Sequence, residues 1–264
     1  MSQFQHPLWG YQLTYPDDWA HLTVGDAEGF AAQPQALEPG SQEPKSGHIL
    51  VSAEWNCARQ PIGPLWSQHI GLMAGILGAK QVGSAAWRMG SAVGIEAEIV
   101  LPKKENLRLW AGILEKDFTV LKFMVTHPRA DRAWFEPAAT RILSSLSFAG
   151  RVQGITLSSE GLPLPPGYAP TDPTLIIPDI ADTKSWRAYD GQSQAGALQA
   201  FYLREAPNYG WQVIEYVPFP SASDLGFARL EMEKDAQRAV LGIMPFGETR
   251  VTSTSPARLV LKLG

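Results

Sequence analysis

A single cysteine, Cys57, in 264 residues excludes an intrachain disulfide and a thiolate-held metal cluster. Basic excess is missing too. Residues 1–150 carry 12 Lys+Arg against 14 Asp+Glu, and residues 151–264 carry 10 against 12, in a chain of net charge −4. Neither half therefore has the electrostatic footprint of a non-specific nucleic-acid binder. The longest apolar run, IGLMAGILGA at 70–79, is about half the roughly 20 residues of a membrane span. The opening MSQFQHPLWGYQ has neither a charged n-region nor an apolar h-region, so no signal peptide is expected and the predicted compartment is the cytoplasm. The histidines His6, His21, His48, His69 and His127 are scattered, without a His-x-His or His-Glu-x-x-His spacing. No Gly-rich loop ends in Gly-Lys-Ser/Thr, and GSAAWRMG lacks the dinucleotide spacing. The sequence predicts no metal and no cofactor.

What is present is apolar material for two cores: 45% hydrophobic residues, including nine Trp. At this length two domains are expected. Tyr11, Leu13 and Tyr15 alternate with polar neighbours as a half-buried strand that Pro16 ends. In HILVSAEWN, Ile49, Val51, Ala53 and Trp55 share a face. A helix is predicted to start near Pro64, with stripes Leu65, Leu72, Ile76 and Trp66, Ile70, Met73, Leu77 wide enough for a mostly buried element. VGIEAEIVL places Ile95, Ala97, Ile99 and Leu101 inward and Glu96 and Glu98 outward. LRLWAGILEKDFTVLKFMVTHP reads as a hairpin folding around residues 115–117. From Asp131 a closing helix follows, with Pro137 placed near its start.

Residues 151–183 are rich in Pro and Gly and predict a linker or extended arm. Beyond it come a strand WRAYD and a helix capped by Ser193. Ala195, Leu198, Phe201 and Tyr202 form that helix's buried face, and Gly210 stops it. The strands WQVIEYVPF, GFARLEMEK, RAVLGIMPF and ARLVLKLG complete the chain. The expected fold class is α+β: an antiparallel sheet flanked by helices over 1–150, the arm at 151–183, and a smaller α+β domain at 184–264.

The opening GYQLTYPDDW and the closing FEPAATRILSSLSF, with the antiparallel strands between, resemble the Mog1/PsbP-like α/β/α sandwich, the fold of DcrB-type proteins, over residues 8–148. The resemblance implies binding, chaperone or assembly roles and no common active site. The C-terminal half is similar to small bacterial modules through LPLPPG at 162–167, Phe201-Tyr202 and Gly210-Trp211, a pattern that carries no activity.

Each catalytic candidate has a simpler reading. Adjacent Asp17 and Asp18 on an extended chain point to opposite sides, so Pro-Asp-Asp predicts a turn. GQSQA around Ser193 mimics a nucleophile elbow, but all five histidines precede Ser193, against the order of that family. Cys57 near Arg59 reads as a half-buried thiol rather than an activated one. No catalytic residue is assigned.

One feature points to binding. Leu107, Leu109, Ala111 and Ile113 fill one face of the hairpin, and the other is assigned Arg108, Trp110, Leu114, Phe118, Val120, Lys122 and Met124. A sheet apolar on both faces must be covered on both, by a helix on each side or by the second domain. The alternative leaves part of that face as a groove for a protein partner, with Arg108, Trp110, Leu114, Phe118, Val120 and Met124 as its contact set. The predicted function is a non-catalytic accessory, assembly or binding protein acting through protein–protein contacts. Two rivals are a chaperone for hydrophobic segments of a secreted effector, needing an open apolar face around Trp110 and Phe118, and a hydrolase with a site in the inter-domain cleft.

Overall fold

The computed structural model describes residues 1–38, 46–221, 225–247 and 250–264. The chain divides into two compact units, one of Met1–Gln5 and Tyr11–Phe148, the other of His6–Gly10 and Ala149–Gly264. Both are α+β with antiparallel sheets.

The first unit contains strands β1 (Ser2–Gln5), β2 (Tyr11–Tyr15), β3 (Ala20–Val24), β4 (Ala27–Ala31), β5 (His48–Trp55), β6 (Lys80–Met89), β7 (Ala92–Val100), β8 (Leu107–Lys116), β9 (Thr119–Pro128) and β10 (Ser147–Phe148), with helices α1 (Ile62–Leu77) and α2 (Arg132–Ser144). Seven strands pair in the order β3-β4-β5-β9-β8-β7-β6, and β1-β2-β10 form a small separate sheet. The Lys-Asp turn between β8 and β9 sets the register of the large sheet. Asp117 and Phe118 form a two-residue loop closed by Lys116 opposite Thr119, and Asp117 takes the left-handed φ of +56° that such loops favour.

Pairing across that loop joins even residues of β8 to odd residues of β9. One face thus collects Ala97, Ile99, Leu109, Ala111, Ile113 and Val120, and α1 covers it with Leu65, Trp66 and Met73. The other face presents Ile49, Val51, Leu121 and Phe123, all buried. There α2 and the small sheet provide the cover, with Phe4 and Tyr15 packed on Phe30 at 5.6 and 5.2 Å. Trp19, held in the Asp17–Asp18 turn by a bond from its N–H to the Pro16 carbonyl (3.0 Å), stacks on Phe135 of α2 at 5.6 Å. The expectation of one helix on each side therefore describes the sheet.

The second unit contains β11 (Thr156–Leu157), β12 (Pro163–Leu164), β13 (Ala169–Thr171), β14 (Trp186–Asp190), β15 (Gln212–Val217), β16 (Ala228–Lys234), β17 (Gln237–Pro245) and β18 (Ala257–Leu263), with helix α3 (Ala195–Asn208). Six strands pair in the order β13-β14-β18-β17-β16-β15. Leu198, Phe201 and Tyr202 of α3 pack with Leu230, Leu241 and Leu259 from this sheet. Gln199, fully buried, is satisfied on both ends of its amide. Nε2 donates to the Ala195 and Phe219 carbonyls, and Oε1 accepts from the Phe219 N–H and the Tyr216 hydroxyl.

The structure corrects several expectations. α1 begins at Ile62 and is not mostly buried: Leu72, Ile76 and Leu77 are 53%, 79% and 41% exposed, because the sheet covers only the side that carries Leu65, Trp66 and Met73. Pro137 lies inside α2, not at its start. The missing N–H is tolerated because Phe135, Ala138, Ala139 and Ile142 hold the helix by packing. Ser193 does not cap α3; Gln194 occupies that position, and its side chain makes no capping bond to the helix. The orphan N–H groups of Ala195 and Gly196 instead donate to the Ser255 and Ser253 carbonyls at 2.9 and 2.7 Å. Residues 151–183 are not a separate linker, since Leu162, Leu164 and Tyr168 are buried in the second core.

Candidate functional site

The hairpin register decides where the proposed contact residues go. Arg108, Trp110 and Leu114 lie on the α2 face of the large sheet, whereas Val120 and Met124 pack on the α1 face. The contact set read from the sequence is therefore not one surface. Leu114 and Val120 are fully buried core. Phe118 sits in the hairpin loop, stacked on Trp55 at 5.0 Å beneath the Arg59 guanidinium. Trp110 stands six residue pairs from that loop, about 20 Å along the strand. The physical reason is parity: a two-residue loop pairs even with odd positions, while a loop centred on residues 115–117 would pair even with even.

Arg108 and Trp110 belong to a different constellation. α2 covers the sheet over β9 and leaves β8, β7 and the edge strand β6 beside it as the floor of a groove of about 550 Å³. Such a volume suits a small ligand or a few side chains. Trp87 of β6 and Trp110 of β8, both half-buried, meet edge to face with centroids 5.3 Å apart and planes at 82°. Trp87 also stands edge-on to Phe123 at 5.0 Å. Gly112 makes this possible. A Cβ there would lie 2.8 Å from the Trp110 ring and 3.0 Å from that of Trp87. Ala139, Thr140, Leu143 and Ser144 of α2 form the facing wall, and Val125 and His127 lie between.

The charged groups of the groove are largely tied to one another. Arg108 pairs with Glu98. Arg132 Nε reaches Glu136 at 3.1 Å. His127, buried, donates from Nδ1 to the Pro128 carbonyl at 2.8 Å and turns Nε2 toward Glu136 at 3.5 Å. These contacts fix the walls and keep the aromatic floor available. Glu96 and Glu98, read as outward from alternation alone, point into this groove through their pairing with Gly112 and Trp110.

Elsewhere the candidates keep structural roles. Cys57 is half-buried, and burial pushes its thiol up from the ordinary value, away from the thiolate form. The Ser193 carbonyl accepts from the Ala257 N–H at 3.0 Å. Among the described residues no group of three or more His, Cys, Asp or Glu is placed to hold a metal ion. No helix is long and apolar enough to cross a membrane among the described residues.

Sequence reasoning missed Trp87 and the α2 wall. β6 carries a register shift between Val82 and Ala85, which breaks the two-residue alternation that marks a strand. The available signal was Trp87 itself, an aromatic preceded by small residues and followed by an Arg.

No family model matches this chain, and no curated protein matches it. Solved structures do. A cyanobacterial PsbP from Synechocystis sp. PCC 6803 is similar at 12% identity over 56% of this chain and 91% of that chain, with a TM-score of 0.43. LpqN of Mycobacterium tuberculosis, described as involved in cell envelope biogenesis, is similar at 16% identity over 56% of this chain and 90% of that chain, with a TM-score of 0.40. PsbP belongs to the group that the motifs within residues 8–148 resemble. No property of either protein is carried to the groove.

Proposed function

We propose that this chain is a non-catalytic binding protein, an accessory or assembly factor acting through protein–protein contacts, and that its first unit holds the partner in the groove between α2 and strands β6–β8. The observation that carries this reading is the Trp87–Trp110 pair, two half-buried indoles at the floor of a cleft in which Arg108 pairs with Glu98 and Arg132 with Glu136. Rigid aromatic surface gives large contact area at small entropic cost and is the usual centre of a binding hot spot. Arg108 and Trp110 remain in the proposed contact set. Leu114, Phe118, Val120 and Met124 leave it.

The test compares partner capture from native lysate by the wild type, by Thr140→Arg plus Ser144→Arg, and by Gln68→Arg. Thr140 and Ser144 are exposed on the groove wall, and Gln68 is exposed on α1. A stoichiometric protein partner lost only by the groove variant, with circular dichroism unchanged, is the expected result. Equal capture by all three proteins would sink the proposal.

A second reading, a chaperone for hydrophobic segments, draws on the outer face of α1, where Leu72 and Ile76 are exposed one turn apart. It expects an apolar helical peptide to bind the wild type and to be lost with Leu72→Glu plus Ile76→Glu.

A further inference from the structure

We infer that the partner presented to this groove is an extended acidic segment of a protein, carrying an apolar or aromatic anchor between its carboxylates. The inference rests on the groove being the binding site proposed above and adds the chemistry of the occupant.

The charge along the groove carries the argument. The groove continues over the outer surface of α2 into a shallow hollow of about 750 Å³ that shares Arg132, Glu136 and Thr140 with it and adds Arg129 and Arg141. Five arginines, Arg88, Arg108, Arg129, Arg132 and Arg141, thus line one continuous surface against three glutamates, Glu96, Glu98 and Glu136. The chain as a whole has a net charge of −4, so this surface opposes the sign of the molecule. Arg108 and Arg132 are neutralised by Glu98 and Glu136. Among the described residues Arg88, Arg129 and Arg141 have no carboxylate partner. The Arg141 Nε meets only the Pro137 carbonyl of its own helix, at 3.4 Å. All three are exposed. No lysine lines either hollow, and guanidinium is the cation whose planar fork matches a carboxylate in two hydrogen bonds.

Spacing then selects an extended ligand. Arg129, in the turn just before α2, and Arg141, in the last turn of α2, are twelve residues apart, roughly 20 Å of helical rise, and Arg88 lies on the edge strand β6 that borders the groove. A small anion can meet one of these groups. A peptide can meet all three while seating a side chain on Trp87 and Trp110. A nucleic-acid strand would carry its unbroken row of phosphates past Glu96, Glu98 and Glu136, whereas a peptide can place neutral residues there.

The experiment selects random twelve-residue peptides displayed on phage against the full chain, in parallel with Arg88→Glu plus Arg141→Glu, and measures the winners by fluorescence anisotropy. The expected result is enrichment of Asp and Glu around a Trp, Phe or Leu, with affinity falling roughly a hundred-fold in the double charge reversal and falling as salt rises. Winners that are basic or neutral, or whose affinity is indifferent to the reversal, would overturn it, as would a twelve-nucleotide thymidine strand binding as tightly as the acidic peptides. Selection that yields no binder overturns it too. The groove reading has its own readout: loss of captured partner with Thr140→Arg plus Ser144→Arg, alongside non-acidic winners, would retain the groove and reject its acidic occupant.

Discussion

Arg204 and Glu205, neighbours on α3, form an ion pair at 2.7 Å with the carboxylate fully buried, while the same guanidinium reaches out to the Leu8 carbonyl at 2.8 Å. The second Glu205 role is to accept the Val152 N–H at 3.0 Å. One buried carboxylate therefore holds a cation that grips residues 6–10 and a backbone group just past the end of the first unit. Burial draws the Arg204 guanidinium below its usual value, opposed by Glu205.

Glu205→Ala is expected to destabilise the second unit by about 3–5 kcal/mol, because it leaves a largely buried guanidinium and the Val152 N–H without their acceptor. Chemical denaturation checks it. A loss under 1 kcal/mol would mean that water replaces the carboxylate there.

Gly10→Ala is expected to release the same clamp from the other side. Gly10 has a φ of +72°, and a Cβ would lie 2.3 Å from the Arg204 guanidinium. Strain and displacement together predict a loss of about 2 kcal/mol or more, read as a lower denaturation midpoint with unchanged slope.

Gly112→Ala acts on the groove. The added methyl meets both indoles, so overpacking of about 1–3 kcal/mol is expected, together with altered tryptophan emission as Trp87 and Trp110 move. Unchanged emission would show that the pair does not rest on Gly112.

Acid sensitivity has two named sources. Burial lowers His48 and His69 to about 4 from the ordinary 6.5, with Lys122 adding to the effect at His69. The unfolded chain takes up protons at these sites first as pH falls, so their cost to stability begins near pH 6.5 and grows until about pH 4. Each histidine removes up to about 3 kcal/mol over that window. His69→Gln and His48→Gln should each flatten the stability profile between those pH values, and an unaltered profile would assign the loss to other groups.

Leu72→Lys and Ile76→Lys on α1 should each change stability by no more than about 0.5 kcal/mol. Met73→Ala, one residue away and buried among Leu109 and Ile113's cluster, should cost about 2–5 kcal/mol. Thermal unfolding of the three variants separates the buried stripe from the exposed one.

Much of the architecture was legible because it is local. Alternation in HILVSAEWN and VGIEAEIVL named the right faces of β5 and β7. The turn at Asp17–Asp18 and the left-handed stop at Gly210, φ +84°, follow from residue chemistry alone. β6 was not legible, because its bulge erases the period. Arg108 and Trp110 share the sheet face that lines the groove, whereas Val120 and Met124 lie on the opposite face, because the two-residue loop shifts the parity of the pairing by one.

The sequence by itself determined which residues share a side of their own strand or helix, since side-chain direction follows the backbone period. Tertiary structure decided which of two apolar faces each helix would cover. α1 buries only the side that carries Leu65, Trp66 and Met73, and α2 stops over β9 instead of reaching β6. Those choices depend on pairing between residues far apart in the chain, and a single loop residue reverses them. The groove exists because α2 leaves strands β6–β8 bare, and no local pattern encodes how far a helix reaches across a sheet.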